Sequence, residues 1–192
     1  LAGVEQVAIS DTITAADEPE GLPGIDIGQP TVQMTFGANT SPFVGQDGSY
    51  VNSRQLQKRL SDELRTNVGL RVQDTDNADA FLVSGRGELH LAILIETMRR
   101  EGYELQVSKP EAIVKVGDGE KQEPYELLVL DVGEESVGLL IENLSSRLAR
   151  MTDMHGDGQG QVRLEFEIPT RGLIGFRSFF LKATRGNGEI NS

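Results

Sequence analysis

The cationic side chains between residues 170 and 185 have a chemistry suited to phosphate. This stretch holds Arg171, Arg177, Lys182 and Arg185 and no Asp or Glu, although the whole chain has a net charge of −12. At about 100° per residue, Lys182 and Arg185 share one side of a helix and Arg177 lies at the margin of its apolar stripe. Lys and Arg without neighbouring acids are typical of a surface that contacts nucleic-acid phosphates. The pattern is equally that of a solvated helix surface.

Two Arg-Gly turns recur in the sequence. The first is Ser84-Gly85-Arg86-Gly87-Glu88-Leu89-His90, and the second contains Arg171-Gly172. Each follows an alternating, strand-like segment and opens an amphipathic helix. This repeat predicts two copies of one small α+β unit. Neither copy contains a recognisable catalytic nucleophile or a cluster of metal ligands. The repeat therefore indicates a module that binds and positions a partner.

The composition excludes several kinds of chemistry. There is no cysteine among the 192 residues, so disulfides, thiolate catalysis and Cys-based zinc sites are absent. His90 and His155 each lack a second histidine at metal-ligand spacing, and we expect His90 to serve a core or capping role. The sequence contains neither a G-x-x-x-x-G-K-[ST] phosphate loop nor a complete G-x-G-x-x-G fingerprint. The segment 74–79 departs from a calcium loop and is interpreted as a solvated turn.

The order of predicted elements from residue 30 to 115 is βαββαβ. The strand around Met34 alternates, Ser53 is the expected N-cap of a helix, and the helix from Glu88 to Glu101 ends in two Arg and a Gly. The remaining strands are expected at 68–72, 80–83 and 103–107. This order is that of a ferredoxin-like domain.

Residues 116–192 repeat that order. Strands are predicted at 125–132 and 162–168, helices at 137–148 and 172–184, and a short strand closes the unit. The fold class is therefore α+β, with two ferredoxin-like domains in tandem. Residues 1–29 are interpreted as the end of another domain, with a strand at 4–13, and an acidic linker. Because the chain starts at Leu1, we interpret it as a fragment of a larger protein.

Several motifs, taken in order, resemble the translational GTPases, most closely the BipA/TypA family. The matching stretches are Asn39-Thr40-Ser41-Pro42-Phe43, the Ser84–Leu91 turn, Met98-Arg99-Arg100-Glu101-Gly102-Tyr103-Glu104, Glu123-Pro124-Tyr125-Glu126 and Arg171–Ser178. Elongation factor G shares the Gly-Glu-Leu-His and Arg-Arg-Glu patterns. The stretches that begin at Asn39 and Arg171 are the ones that favour BipA.

The resemblance implies a ribosome-binding and GTPase-coupling role. Residues 1–29 would end a β-barrel domain, and the two units would correspond to the third and fifth domains of elongation factor G. The interface with the GTPase domain would include Ser84, Arg86, Glu88 and His90, and the ribosomal RNA face would be Arg171, Arg177, Lys182 and Arg185. GTP and Mg²⁺ would belong to the longer protein, with no cofactor and no catalytic residue here. The implied partners are the ribosome and the protein's own GTPase and C-terminal domains, in the cytoplasm and without a membrane.

Two features depart from the family pattern, and three alternatives stay open. The helix ending at 145–150 lacks the expected Gly, and the turn Gly158-Gln159-Gly160-Gln161 has Gln where basic residues are common. This edge is therefore not counted as an RNA contact. The alternatives are the equivalent region of elongation factor G or LepA, a paired ACT-like module that binds a small ligand, and a stand-alone enzyme. The last is disfavoured because no nucleophile–base or carboxylate pair can be placed.

Overall fold

The computed structural model describes residues 9, 11–17, 19–23, 28–117 and 119–192. The chain divides between Lys109 and Pro110 into two compact units. Most of the strand expected at 4–13 lies outside the described residues, and residues 11–13 form no strand. The end of a barrel domain over 1–29 and a boundary at residue 115 stay predictions.

The first unit has the βαββαβ order. Its elements are β1 (Val32–Ala38), α1 (Ser53–Leu64), β2 (Arg71–Asp74), β3 (Ala80–Gly85), α2 (Glu88–Arg100) and β4 (Leu105–Val107). The strands are antiparallel in the order β2-β3-β1-β4, and Phe36 of β1 lies between Phe81 and Val107. This is the predicted ferredoxin-like arrangement.

The core of the first unit lies between the sheet and its two helices. Alternate residues of β1 are buried, as the period of two requires. They pack against Leu56 and Leu60 of α1 and against the inner face of α2, which contributes Leu91, Leu94 and Met98. Both helices therefore cover the same face of the sheet.

Helix α1 begins one residue earlier than the sequence suggested. Asn52, and not Ser53, is the N-cap: its side chain accepts a hydrogen bond from the Gln55 backbone N–H at 2.9 Å. The Gln55 side chain in turn accepts from the Asn52 backbone N–H at 3.3 Å, which completes a capping box. The Asn52 side chain thus satisfies one of the backbone donors that the first turn of α1 leaves free.

The second unit repeats the same order with additional short strands before it. It contains β5 (Glu111–Ala112), β6 (Lys115–Gly117), β7 (Glu120–Gln122), β8 (Tyr125–Gly133), α3 (Glu134–Ser146), β9 (Arg150–Gly156), β10 (Gln161–Pro169), α4 (Thr170–Leu173), α5 (Phe176–Ala183) and β11 (Glu189–Asn191). Strands β6 and β7 pair with each other. The main sheet is antiparallel in the order β11-β8-β10-β9. The predicted tandem of ferredoxin-like folds is confirmed.

Two elements of the second unit differ from the sequence prediction. Strand β9 was not predicted because all seven of its residues are exposed and no apolar alternation marks it. The helix predicted at 172–184 is broken into α4 and α5 at Ile174 and Gly175. Gly175 has φ of 73°, a left-handed conformation that ends the first helical turn and redirects the chain.

Among the described residues, no helix combines the length and apolar character that a membrane span requires.

Candidate nucleic-acid interface

Helix α5 presents its cations to solvent because its aromatic residues anchor the opposite side. Phe176 and Phe180 are fully buried in the core of the second unit. Arg177 and Lys182 consequently lie on the exposed side of the helix. Helical periodicity thus separates the core face from the charged face, as predicted.

Arg185 follows α5 at a position that glycine normally occupies. Its φ is 54°, and its backbone N–H donates to the Lys182 carbonyl while that of Gly186 donates to Leu181. These two bonds form a Schellman motif, which places Arg185 at the left-handed position. Its side chain is exposed.

Three of the four predicted phosphate contacts have no acidic partner in the part of the chain that the structure describes. Arg177, Lys182 and Arg185 form no ion pair with any described residue. Charged side chains left unpaired on an acidic chain keep their full electrostatic attraction for an anion. These residues are hereafter called the α5 cations.

Arg171 differs from the α5 cations because it is already paired. Its Nε donates to Glu123 Oε2 at 2.6 Å and its Nη2 to Glu123 Oε1 at 3.2 Å. This fork-shaped pair raises the pKa of Arg171 through the hydrogen bond to Glu123. Sequence reasoning missed the pair since Glu123 precedes β8, far from Arg171 in the chain.

Arg147 holds the break between α4 and α5 in place. Its Nη1 donates to the carbonyl oxygens of Gly172 at 2.8 Å and Ile174 at 3.0 Å. The guanidinium also lies 5.6 Å from the centre of the Phe176 ring, within cation–π range. Arg147 therefore satisfies carbonyls that the broken helix leaves free, and so fixes the start of α5.

The Arg-Gly turn of the first unit is organised by His90. Its Nδ1 accepts the Arg86 backbone N–H at 3.2 Å, and its Nε2 lies 3.0 Å from Asn67 Oδ1. These partners require the tautomer protonated at Nε2. Burial, and then the charge of Arg86, lower the pKa of His90, so the ring is neutral at pH 7. Through these two bonds His90 fixes the turn that leads into α2.

The other residues predicted at the interface with a GTPase domain differ in exposure. Arg86 is exposed, Glu88 is half-buried, and Ser84 is only 7% exposed within β3. Arg86 is therefore the member of this set whose side chain is best placed to meet a partner.

A polar chain behind His90 was not predicted from the sequence. Asn67 donates to Glu63 at 2.9 Å, and Glu63 accepts from Arg59, which also pairs with Glu101. Burial acts to raise the pKa of Glu63, but the bonds from Asn67 and Arg59 outweigh it and the pKa is lowered. The chain of contacts joins α1 to both ends of α2.

Two of the stretches that carry the family resemblance, those beginning at Asn39 and at Met98, meet at Glu104. Its carboxylate accepts the backbone N–H groups of Gly45 at 2.8 Å, Asp47 at 2.6 Å and Gly48 at 2.8 Å. It also accepts from the Asn39 side chain at 3.2 Å. These bonds hold the loop 39–48, with Phe43 67% exposed at its surface.

Within the described ranges of the chain, no three or more His, Cys, Asp or Glu side chains are arranged to hold a metal ion.

Comparisons with known proteins agree with this architecture. Residues 120–192 match the family model described as "Elongation factor G C-terminus". A solved crystal structure from Thermus thermophilus covers 92% of this chain and 42% of its own, with a TM-score of 0.53 and 14% identity. At that identity the likeness shows the fold alone.

The similarity to curated sequences extends over the full 192-residue chain. Proteins named "Large ribosomal subunit assembly factor BipA" are 54% identical over 191 residues in Synechocystis sp. and 53% identical over 192 residues in Haemophilus influenzae. The protein of that name in Bacillus subtilis is 51% identical over 191 residues. All three matches cover 100% of this chain but only 31–32% of the relatives, so the chain spans about a third of their length. Identity of 51–54% over the whole chain shows that it belongs to the BipA/TypA family.

Proposed function

We propose that this chain is the ribosome-binding and GTPase-coupling portion of a BipA/TypA-type translational GTPase. It contacts ribosomal RNA and proteins near the factor-binding centre in the cytoplasm. GTP and Mg²⁺ bind elsewhere in the longer protein, because these 192 residues contain no phosphate loop. The names of the BipA relatives, which are assembly factors of the large ribosomal subunit, support this proposal.

The single observation that carries the proposal is the set of α5 cations. A chain with net charge −12 repels nucleic acid as a whole. Binding to RNA therefore requires a local surface where positive charge is unpaired, and Arg177, Lys182 and Arg185 supply one. Phosphate contacts of this kind fix position and orientation without reading sequence.

The first unit performs the coupling in this proposal. Arg86 is exposed at the start of α2, and its backbone is fixed by His90. A GTPase domain that docks against Ser84, Arg86, Glu88 and His90 would meet a preorganised turn. The polar chain through Asn67 and Glu63 holds that turn, so docking orders few additional groups.

The test is co-sedimentation of the 192-residue chain with purified large ribosomal subunits over a salt series. The variant Arg177→Gln/Lys182→Gln/Arg185→Gln removes the α5 cations. The matched control Arg54→Gln/Lys58→Gln/Lys121→Gln removes three exposed cations located elsewhere. Both variants change the net charge equally.

We expect the α5 variant to bind much more weakly than the parent and the control to bind as the parent does. The slope of log affinity against log salt should also become less steep by roughly 2–3 for the α5 variant, since each of its three phosphate contacts contributes roughly 0.7–0.9. Equal losses in both variants would indicate a general charge effect and would contradict the proposal. Binding that persists in the α5 variant would place the RNA contact elsewhere.

A further inference from the structure

The main sheet of the second unit has one face that no helix among the described residues covers. Alternate residues of β8 point into the core, among them Leu128 and Leu130, both fully buried. The other alternate residues of β8 point to the open face and include Tyr125, 60% exposed, and Leu127, 55% exposed. Together with half-buried Val129 they form an apolar stripe along a central strand. The open face of an antiparallel sheet is usually polar, so this stripe departs from the expected pattern.

Acidic side chains lie along one side of the stripe and beyond one of its ends. Glu165 of β10 lies opposite Val129, and Glu167 lies opposite Leu127. Beyond the end of the stripe, Glu189 of β11 lies opposite Asp131, the next open-face residue of β8. The register places on this face the acids Asp131, Asp153, Glu165, Glu167 and Glu189, the cations Arg150 and Arg163, and His155 beside Asp153.

The two arginines leave part of this acidity uncompensated. Arg163 pairs with Asp131 at 2.8 Å, and Arg150 pairs with Glu167. Glu165 and Glu189 form no ion pair within 4.0 Å of any described residue, although both attract the guanidinium of Arg163 from further away. The face therefore combines exposed apolar area with net negative charge.

We propose that this open sheet face binds a cationic amphipathic helix of a protein partner. The apolar side of the helix covers Tyr125, Leu127 and Val129, while flanking Lys or Arg side chains pair with Glu165 and Glu189. Four strands about 4.8 Å apart make a sheet about 19 Å wide, which accommodates one helix of about 10 Å diameter. A neutral helix would bury these carboxylates near its edges without partners, at a cost in free energy.

The negative charge of this face also argues against nucleic acid as the molecule that binds there. Phosphates brought to this surface would meet Glu165 and Glu189, and like charges repel. The α5 cations lie on a helix that packs against the opposite face of the sheet. The second unit would thus bind protein on one face and RNA on the other, and the two sites can be tested separately.

The probe is a fluorescein-labelled peptide of about 18 residues that forms a helix with Leu on one side and Lys on the other. Such a helix is about 27 Å long, close to the nine-residue strand β8. A Ser/Lys peptide of equal length and charge serves as the comparison. Binding to the 192-residue chain is measured by fluorescence anisotropy.

We expect saturable binding of the Leu/Lys peptide and much weaker binding of the Ser/Lys peptide. Leu127→Asn should weaken binding roughly tenfold, since it removes the centre of the apolar contact. Glu165→Gln/Glu189→Gln should weaken it about three- to tenfold. The matched pair Glu120→Gln/Glu142→Gln, exposed on β7 and α3, should have little effect.

Three results would overturn the proposal. Equal weakening by both carboxylate pairs would mean that the peptide senses only overall charge. Unchanged affinity in Leu127→Asn, with an unchanged melting curve, would show that the stripe makes no contact. Binding of a short RNA hairpin that Leu127→Asn weakens and the α5 variant leaves intact would make this face a nucleic-acid surface.

Discussion

The backbone of Arg147 passes so close to Gly172 that no side chain fits between them. A β-carbon on Gly172 would lie 2.7 Å from the Arg147 carbonyl oxygen and 3.1 Å from the Ile168 side chain. The Arg147 guanidinium meanwhile donates to the Gly172 carbonyl at 2.8 Å. The glycine of the second Arg-Gly turn is thus required by close backbone packing, and this packing positions the start of α5.

Gly172→Ala should therefore destabilise the second unit by about 1–3 kcal/mol, the usual range for overpacking. Gly138→Ala is the matched control: Gly138 lies within α3 and has nothing within 4 Å of an added β-carbon. That substitution should stabilise the chain by about 0.5–1 kcal/mol, because alanine loses less backbone entropy in a helix. Thermal denaturation of both variants measures the difference. Similar melting temperatures would contradict the close approach.

Leu148→Gly should increase stability despite removing a leucine. Leu148 has φ of 65° and follows α3 in a Schellman motif, with its side chain 58% exposed. A non-glycine residue in this conformation costs about 1 kcal/mol, so glycine should recover an amount of that order. Urea denaturation should show a higher midpoint. Leu148 lies within the helix end at 145–150, where the family resemblance led us to expect a Gly.

Arg185→Gly should raise the stability of the second unit and at the same time weaken its binding to ribosomal subunits. Arg185 occupies the equivalent position after α5 with φ of 54°, so glycine should stabilise the unit by about 1 kcal/mol. The same substitution removes one α5 cation and should weaken sedimentation with ribosomal subunits. Arg185→Lys keeps the charge and the backbone strain, and it should change neither property. A variant Arg185→Gly that binds as well as the parent would remove Arg185 from the RNA face.

Glu104 should control the order of the loop 39–48. Bonds from backbone N–H groups, first that of Gly45, lower the pKa of Glu104 below its ordinary value of 4.5. The folded loop therefore gains stability that is present above pH 4.5 and is lost as pH falls through the lowered value. Glu104→Gln replaces the charged acceptor and should speed proteolytic cleavage of the loop at pH 7. Glu111→Gln, an exposed carboxylate of β5, is the control that should leave cleavage unchanged.

The stability of the first unit should depend on pH through the protonation of His90. Its pKa is lowered from the ordinary 6.5, so the unfolded chain binds a proton more readily than the folded chain. Stability is full above pH 6.5 and falls as pH drops from there toward the lowered pKa. His90→Asn should reduce the slope of the free energy of unfolding against pH in this range. Identical slopes in the parent and His90→Asn would contradict the neutral, bonded ring.

The strands with a buried face were predictable, because apolar residues alternate in β1 and β10 and form a continuous run in β8. Strand β9 was not, since hydrogen bonding to β10 places it in the sheet without burying any residue. The α5 cations followed from helical periodicity and local charge. The pairing of Arg171 with Glu123 could not be predicted in this way, because Glu123 approaches Arg171 only after β8 and β10 pair. Local pattern thus predicts which side chains are charged and exposed, while tertiary pairing decides which are free.

The ion pair between Arg171 and Glu123 should compete with phosphate. Both side chains are partly exposed, 52% and 26%, so the pair contributes little to stability and can exchange partners. Glu123→Gln would free Arg171, and we expect affinity for ribosomal subunits to rise about two- to fivefold. The salt dependence should steepen by roughly 0.7–0.9 because one more phosphate is contacted. Adding Arg171→Gln to Glu123→Gln should cancel both changes, whereas Arg171→Gln alone should have little effect. If Glu123→Gln raises affinity to the same extent in the presence of Arg171→Gln, the gain comes from removing a negative charge and Arg171 is not an RNA contact.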